Sequence, residues 1–222
     1  MDDNTIIDWL AVTRLVPKDP KAHDRLGYAF FGRGLFHKAL EEFQTAKQLD
    51  ADDVHAHNGL GHVFDRMGML KEAIEEYRVA IHLSPDNPYF HYGLAQVFKK
   101  TGALDEAVRE YGEALRLKPD FPEAHYFLGH AYNKAGSLDD AVNEYKEAIR
   151  LKPDFAEAHY TLGLALYKKG LLSETLNELK EAIRLKPDFQ EARYNLQNIS
   201  RTKKYFIKST PLIDVKNKVK TG

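Results

Sequence analysis

Apolar residues recur along this chain at spacings of three, four and seven, the period of an amphipathic helix. Leu128, Ala131 and Tyr132 mark one such face, and Leu138, Ala141, Tyr145 and Ala148 mark the next. Gly136 stands between the two stretches and Pro153 follows the second. The pattern predicts two helices joined by a tight turn, because glycine accepts the left-handed helix end and proline supplies no amide donor to continue the second helix.

The pair is copied. Residues 122–155 and 156–189 share 22 identities over 34 places, and KPDF returns at Lys118, Lys152 and Lys186. Carried backwards, the register gives five full units, 20–53, 54–87, 88–121, 122–155 and 156–189. Gly34, Gly68, Gly102, Gly136 and Gly170 form the turn column. Pro85, Pro119, Pro153 and Pro187 form the stop column, which Ala51 alone breaks. Small residues keep one face of each helix bare: Gly27, Gly61, Ala95, Gly129 and Gly163 in the first, then Ala39, Ala73, Ala107, Ala141 and Thr175 in the second. Bulk comes from Leu26, Leu60, Leu94, Leu128 and Leu162 and from Phe43, Tyr77, Tyr111, Tyr145 and Leu179, so close crossing and tight filling are specified together.

A 34-residue helix-turn-helix unit with these columns resembles the tetratricopeptide repeat. The resemblance covers nearly all of residues 1–200 and rests on a dozen columns recurring five times. The family's early tryptophan is replaced here by His23, His57, His91, His125 and His159. The resemblance implies an all-α solenoid, a right-handed superhelix of antiparallel helix pairs whose first helices line a concave groove. Residues 1–19 are expected to be an N-terminal half-repeat helix, with Trp9, Val12, Leu15 and Pro17 in second-helix columns. Residues 190–204 are expected to be a capping helix, with Gln197 in the small column and Arg193 in the histidine column, and 205–222 a basic tail. About twelve helices follow.

Composition narrows the function. With 43% hydrophobic and 29% charged residues and a net charge of -1, the chain of 222 residues as a whole has no electrostatic case for coating nucleic acid or anionic lipid. Residues 201–222 are the exception, carrying seven Lys or Arg against one Asp, so the tail is the one segment suited to nucleic acid, an acidic membrane or the protein's own acidic helices. Absence of cysteine removes disulfides, thiolate chemistry and cysteine zinc sites. No apolar run approaches the ~20 residues of a membrane span, and the acidic start MDDNTIIDWL is unlike a secretory signal, so a soluble cytoplasmic protein is expected.

Neither cofactor nor metal is expected. Histidines one repeat apart stand roughly 10 Å from each other, too far to share a zinc at ~2.0 Å, and a packing role is expected for them. Burial of neutral imidazoles would depress their pKa values, so that acid would cost stability. No GxSxG, GxxxxGK[ST] or dinucleotide glycine fingerprint occurs, and no catalytic residue is assigned.

The groove is the expected binding site. Its residues would be Tyr92, Tyr126, Tyr160 and Tyr194, beside them His62, Gln96 and His130, and at the first-helix ends the basic row Arg66, Lys100, Lys134 and Lys168. These side chains suit an extended peptide carrying apolar or aromatic groups and some acidic charge. The lysine and asparagine places that clamp a terminal carboxylate in one subgroup of the family hold Asp24 and Tyr28 here. The asparagine ladder of another subgroup is replaced by Arg25, Gly59, Gly93, Phe127 and Thr161. The expected function is therefore a non-catalytic interaction scaffold for another protein or peptide. The alternatives are a structural homo-oligomer and an accessory segment of a larger enzyme.

Overall fold

The computed structural model describes residues 3–209, with side chains from 6 to 201. Twelve helices occupy the described residues: α1 (Asp3–Leu15), α2 (Pro20–Gly32), α3 (Phe36–Leu49), α4 (Val54–Met67), α5 (Leu70–Leu83), α6 (Pro88–Thr101), α7 (Leu104–Leu117), α8 (Pro122–Ala135), α9 (Leu138–Leu151), α10 (Ala156–Lys168), α11 (Leu172–Leu185) and α12 (Gln190–Ser209). Among those residues there is no strand. The basic tail falls outside the described residues beyond Ser209.

Contacts divide the chain into two compact units, one of residues 1–136 holding α1–α8 and one of residues 137–222 holding α9–α12. In the first unit α2 packs on α3, α4 on α5 and α6 on α7, and α2 also touches α4, as α4 touches α6. In the second, α10 packs on α11, which packs on α12.

Local chemistry explains the ends. Asp19, Asp53 and Asn87 cap α2, α4 and α6 by accepting backbone N–H bonds of 2.9 to 3.3 Å. Pro20, Pro88 and Pro122 take first-turn positions where a missing amide costs nothing. At Gly68 φ is +78°, and the next residue's N–H returns to the Phe64 carbonyl at 2.9 Å, closing the helix in the left-handed geometry that a side chain would strain.

In each unit the second-helix ring or leucine is sealed off from solvent: Phe43, Tyr77 and Tyr111 in the first, Tyr145 and Leu179 in the second. Phe43 is held between two backbones. A Cβ built on Gly27 would lie 2.8 Å from its ring and one on Gly59 only 2.4 Å away. Tyr77 is held likewise by Gly61 at 2.9 Å and Gly93 at 2.6 Å. Gly59 and Gly93 are thus packing glycines, which their place in the ladder column did not disclose.

At His91 and His159 the structure overturns the expectation of depressed pKa values. The Nδ1 atoms of His23, His57, His91 and His159 face Glu42, Glu76, Glu110 and Glu178 at 2.7, 2.5, 2.8 and 2.7 Å. Their Nε2 atoms face the carbonyls of Pro17, Ala51, Pro85 and Pro153 at 3.0 to 3.1 Å. At His91 and His159 two acceptors flank the ring, so only the imidazolium can donate to both. The Glu110 hydrogen bond raises the His91 pKa above its ordinary value despite burial. At His159 burial pulls downward, and Glu178 with the Pro153 carbonyl outweighs it. Desolvation alone lowers an imidazole pKa, and at His91 and His159 the carboxylate nineteen residues on reverses the sign.

Candidate functional site

The face built from α2, α4, α6 and α8 of the first unit gathers most of the expected groove residues. Several of them are held by neighbours. The Tyr28 hydroxyl donates to the His55 carbonyl at 3.1 Å and accepts from Asn58 Nδ2 at 2.9 Å, tying α2 to α4. Tyr77 and the His62 Nδ1 atom lie 2.8 Å apart. Burial holds the imidazole below its usual pKa against the pull of Asp65, and burial lifts the Tyr77 phenol well above its own. The phenol therefore donates to Nδ1, and Nε2 carries the imidazole proton. Arg66 lies over the Phe36 ring at 5.3 Å, and Lys100 reaches both carboxylate oxygens of Asp65 at 2.6 and 2.7 Å.

Tyr92 is half-buried, with ring centroids 4.8 Å from Phe121, 5.9 Å from Tyr111 and 6.2 Å from Phe127. Burial pushes its phenol up to about 12. Gln96 stands one turn on, its buried Nε2 lacking a partner of hydrogen-bond geometry. Tyr126 packs edge-on against Phe127 at 5.0 Å and His130 at 4.7 Å. In the second unit Tyr160 packs on Phe189 at 4.8 Å and accepts from Asn195 at 3.0 Å, Tyr194 is 67% exposed, and Lys168 is exposed at the end of α10.

Lys99, absent from the expected residues, is the most perturbed cation here. Its Nζ lies 3.7 Å from the Phe127 centroid, a cation–π contact joining α6 to α8. Burial, then the positive charges of Lys100 and Lys134, lower its pKa to about 8. Among the described residues it makes no ion pair, since Asp65 is already engaged by Lys100. Lys134 is exposed and likewise without an ion pair. His130, between them electrostatically, is driven down to about 4 by burial, Lys99 and Lys134. At neutral pH this corner offers two cations, a neutral imidazole and the rings of Tyr126 and Phe127. Sequence held a signal for it: the column Phe31, Asp65, Lys99, Asn133, Tyr167 reverses charge at Lys99, and Phe127 replaces the glycines Gly59 and Gly93.

Among the described residues no helix is long and apolar enough to cross a membrane, and no three His, Cys, Asp or Glu side chains are grouped as metal ligands.

Repeating helix pairs of fixed length, stacked through small-residue columns, define a helical-repeat protein. Family models for the TPR repeat match residues 66–102, 98–136 and 129–170, and one for the tetratricopeptide repeat matches 156–189. The chain belongs to the tetratricopeptide repeat family. Solved structures agree in fold. YrrB, described as a TPR protein with an unusual peptide-binding site, is 23% identical with a TM-score of 0.69 over 85% of this chain and 97% of its own. MamA is 25% identical with a TM-score of 0.68 over 75% and 97%. A chain of the APC/C hetero-tetramer Cut9-Hcn1 is 21% identical with a TM-score of 0.76 over 88% and 40%. No curated protein matches the sequence at a significant level. The repeat fold supports a protein-interaction scaffold in general terms.

Proposed function

We propose that this protein is a non-catalytic scaffold that binds an extended peptide segment across the α2, α4, α6 and α8 face, with an acidic side chain of the peptide seated between Lys99 and Lys134. The observation that carries this is Lys99 itself: a half-buried ammonium held on the Phe127 ring with no carboxylate of its own. An anion there would restore the charge stabilisation that burial and like charges remove. Tyr126 and Tyr92 supply apolar area beside it, with little side-chain entropy to lose. A peptide-binding site in YrrB, a relative in fold, is in keeping with this use.

The test is affinity capture from a cell extract with the intact protein and with a Tyr126→Ala, Lys134→Ala double variant of unchanged helicity. Loss of a captured protein in the variant, restored for a synthetic acidic segment of that protein on wild type, supports the proposal. Identical capture by both proteins would remove it.

A second reading, self-association, is favoured by apolar side chains left in water on and just after α1, with Leu15 81%, Ile7 62% and Val16 43% exposed. A monomer mass by light scattering at high protein concentration would exclude it.

A further inference from the structure

Far from Lys99 in sequence, a cavity of about 440 Å³ opens on the same first-helix face, lined by Lys21, Asp24, Arg25, Tyr28 and His55. At its floor Asp24 is only 4% exposed; no neighbouring N–H or O–H donates to either carboxyl oxygen, and as a neutral acid the group hydrogen-bonds the Asp53 carboxylate. Asn58 Oδ1, on the amide whose nitrogen donates to Tyr28, is also buried without a partner. No donor from the protein therefore serves the Asp24 carboxyl when it is ionised, an arrangement proteins ordinarily complete. Beside it Asp53 accepts two backbone N–H bonds at the α4 N-terminus.

We propose that this pocket is a subsite for the side-chain ammonium of a lysine on a bound peptide. An ammonium carries three N–H donors and no acceptor, so it can donate to the Asp24 carboxylate in place of the proton that Asp24 otherwise shares with Asp53. Its charge also suits a floor where Asp24 lies next to Asp53. Cations of the protein do not fill this role. Arg25 is drawn over the Trp9 ring at 4.9 Å, and Lys21 stays exposed at the mouth. Without a ligand, burial and then Asp53, with lesser contributions from Asp19 and Asp50, raise the Asp24 pKa to about 8, so the group is a neutral acid at pH 7. Lys21, Arg25 and His55 at the mouth and the Tyr28 hydroxyl are the other polar groups facing it. Seating an ammonium ionises Asp24 and releases its proton to solvent.

The origin of the lysine rests on the peptide-binding proposal above; the pocket's preference for an ammonium does not. The probe is n-butylammonium, a lysine side-chain analogue, added to the full chain while the Asp24 carboxyl is followed by carbon-13 NMR across pH. The expected result is a midpoint near 8 that falls by about one unit or more on saturation, as a facing opposite charge requires, with no movement for tetramethylammonium, which lacks N–H donors. Asp24→Asn, close to isosteric, should keep the fold and abolish butylammonium binding. An unmoved midpoint, or an equal response to tetramethylammonium, overturns the proposal.

In a second arm, a captured peptide containing lysine should bind about tenfold more weakly when that lysine is Nε-acetylated, and equally weakly to the Asp24→Asn protein. Indifference to acetylation overturns the peptide origin even if butylammonium binds. Sensitivity to acetylation together with indifference to Lys99→Met supports the pocket and defeats the Lys99 site instead.

Discussion

Glycine to alanine substitutions should change sign between two helical positions, because one glycine faces a ring and the other faces water. At Gly59 an added Cβ would lie 2.4 to 2.6 Å from three carbons of the Phe43 ring. Carbon contacts settle at ~3.5 to 4.0 Å, so the ring must retreat by about 1 Å. The ring has little room to retreat, since a Cβ built on Gly27 would itself lie only 2.8 Å from it. Overpacking of this kind costs ~1 to 3 kcal/mol. The gain in helix propensity returns ~1 kcal/mol, leaving Gly59→Ala destabilised by up to about 2 kcal/mol. At Gly112 in α7 nothing lies within 4 Å of the added carbon, and only the propensity gain of ~1 kcal/mol remains. Urea denaturation followed by far-UV circular dichroism reads the difference, with amide exchange reporting whether the loss is confined to α2–α4, as nearest-neighbour coupling in repeat proteins requires. Phe43→Leu, destabilising in the wild type, should recover part of the loss in Gly59→Ala, a coupling a double-mutant cycle isolates. If Gly59→Ala matches Gly112→Ala in sign, the ring is not clamped between the two backbones and the account of the packing columns is wrong.

Two further outcomes follow from the charges. His91 and His159 have folded pKa values raised above ~6.5, so their contribution is fully present below that pH and is lost as pH rises through the folded values. Glu110→Gln should flatten this loss and cost about 1 kcal/mol under acid conditions, and imidazole NMR titrations that fall below ~6.5 instead would contradict it. Lys99 behaves oppositely: its ammonium is lowered from 10.5 to about 8, so stability attributable to it rises with pH across that interval. Lys99→Met should therefore stabilise the protein at neutral pH while weakening binding of acidic peptides, and a thermal melt lower than wild type would refute the claim that burial strains this cation.

The fold was legible because its determinants are local and repeated. Gly68, Gly102 and Gly136 must accept positive φ wherever the pair turns, and Leu60, Leu94 and Leu128 must be buried wherever it stacks, so one reading serves five times. The site was legible only in outline. Tyr92 and Tyr126 do lie on the first-helix face, but whether a tyrosine is available or already packed depends on Phe121, Phe127 and His130, which arrive from elsewhere in the chain. Lys100 read as a free cation until Asp65, thirty-five residues earlier, came alongside it. Lys99 was passed over because its neighbour in sequence fits the basic row better. The partner of each histidine escaped for the same reason: a carboxylate on the following helix is invisible to a count of burial.

Opposite charges at two places on one face impose a register on any ligand that uses both. The Asp24 pocket belongs to α2 and Lys99 to α6, and α4 lies between, touching each. Packed helices stand 8 to 10 Å apart, and Lys99 lies seven residues further along its helix than the place equivalent to Asp24, about 10 Å of rise, so the two subsites are separated by about 19 to 23 Å. An extended chain advances ~3.3 to 3.6 Å per residue, which places the ligand's lysine and its acidic residue about six positions apart. Peptides of fixed composition, differing only in the distance between one lysine and one glutamate, should show an affinity maximum near that spacing. The maximum should vanish in Asp24→Asn and in Lys99→Met alike, because either change leaves a single anchor and a single anchor carries no ruler. A flat response across the series in wild-type protein would mean that the two charges are not read by one ligand.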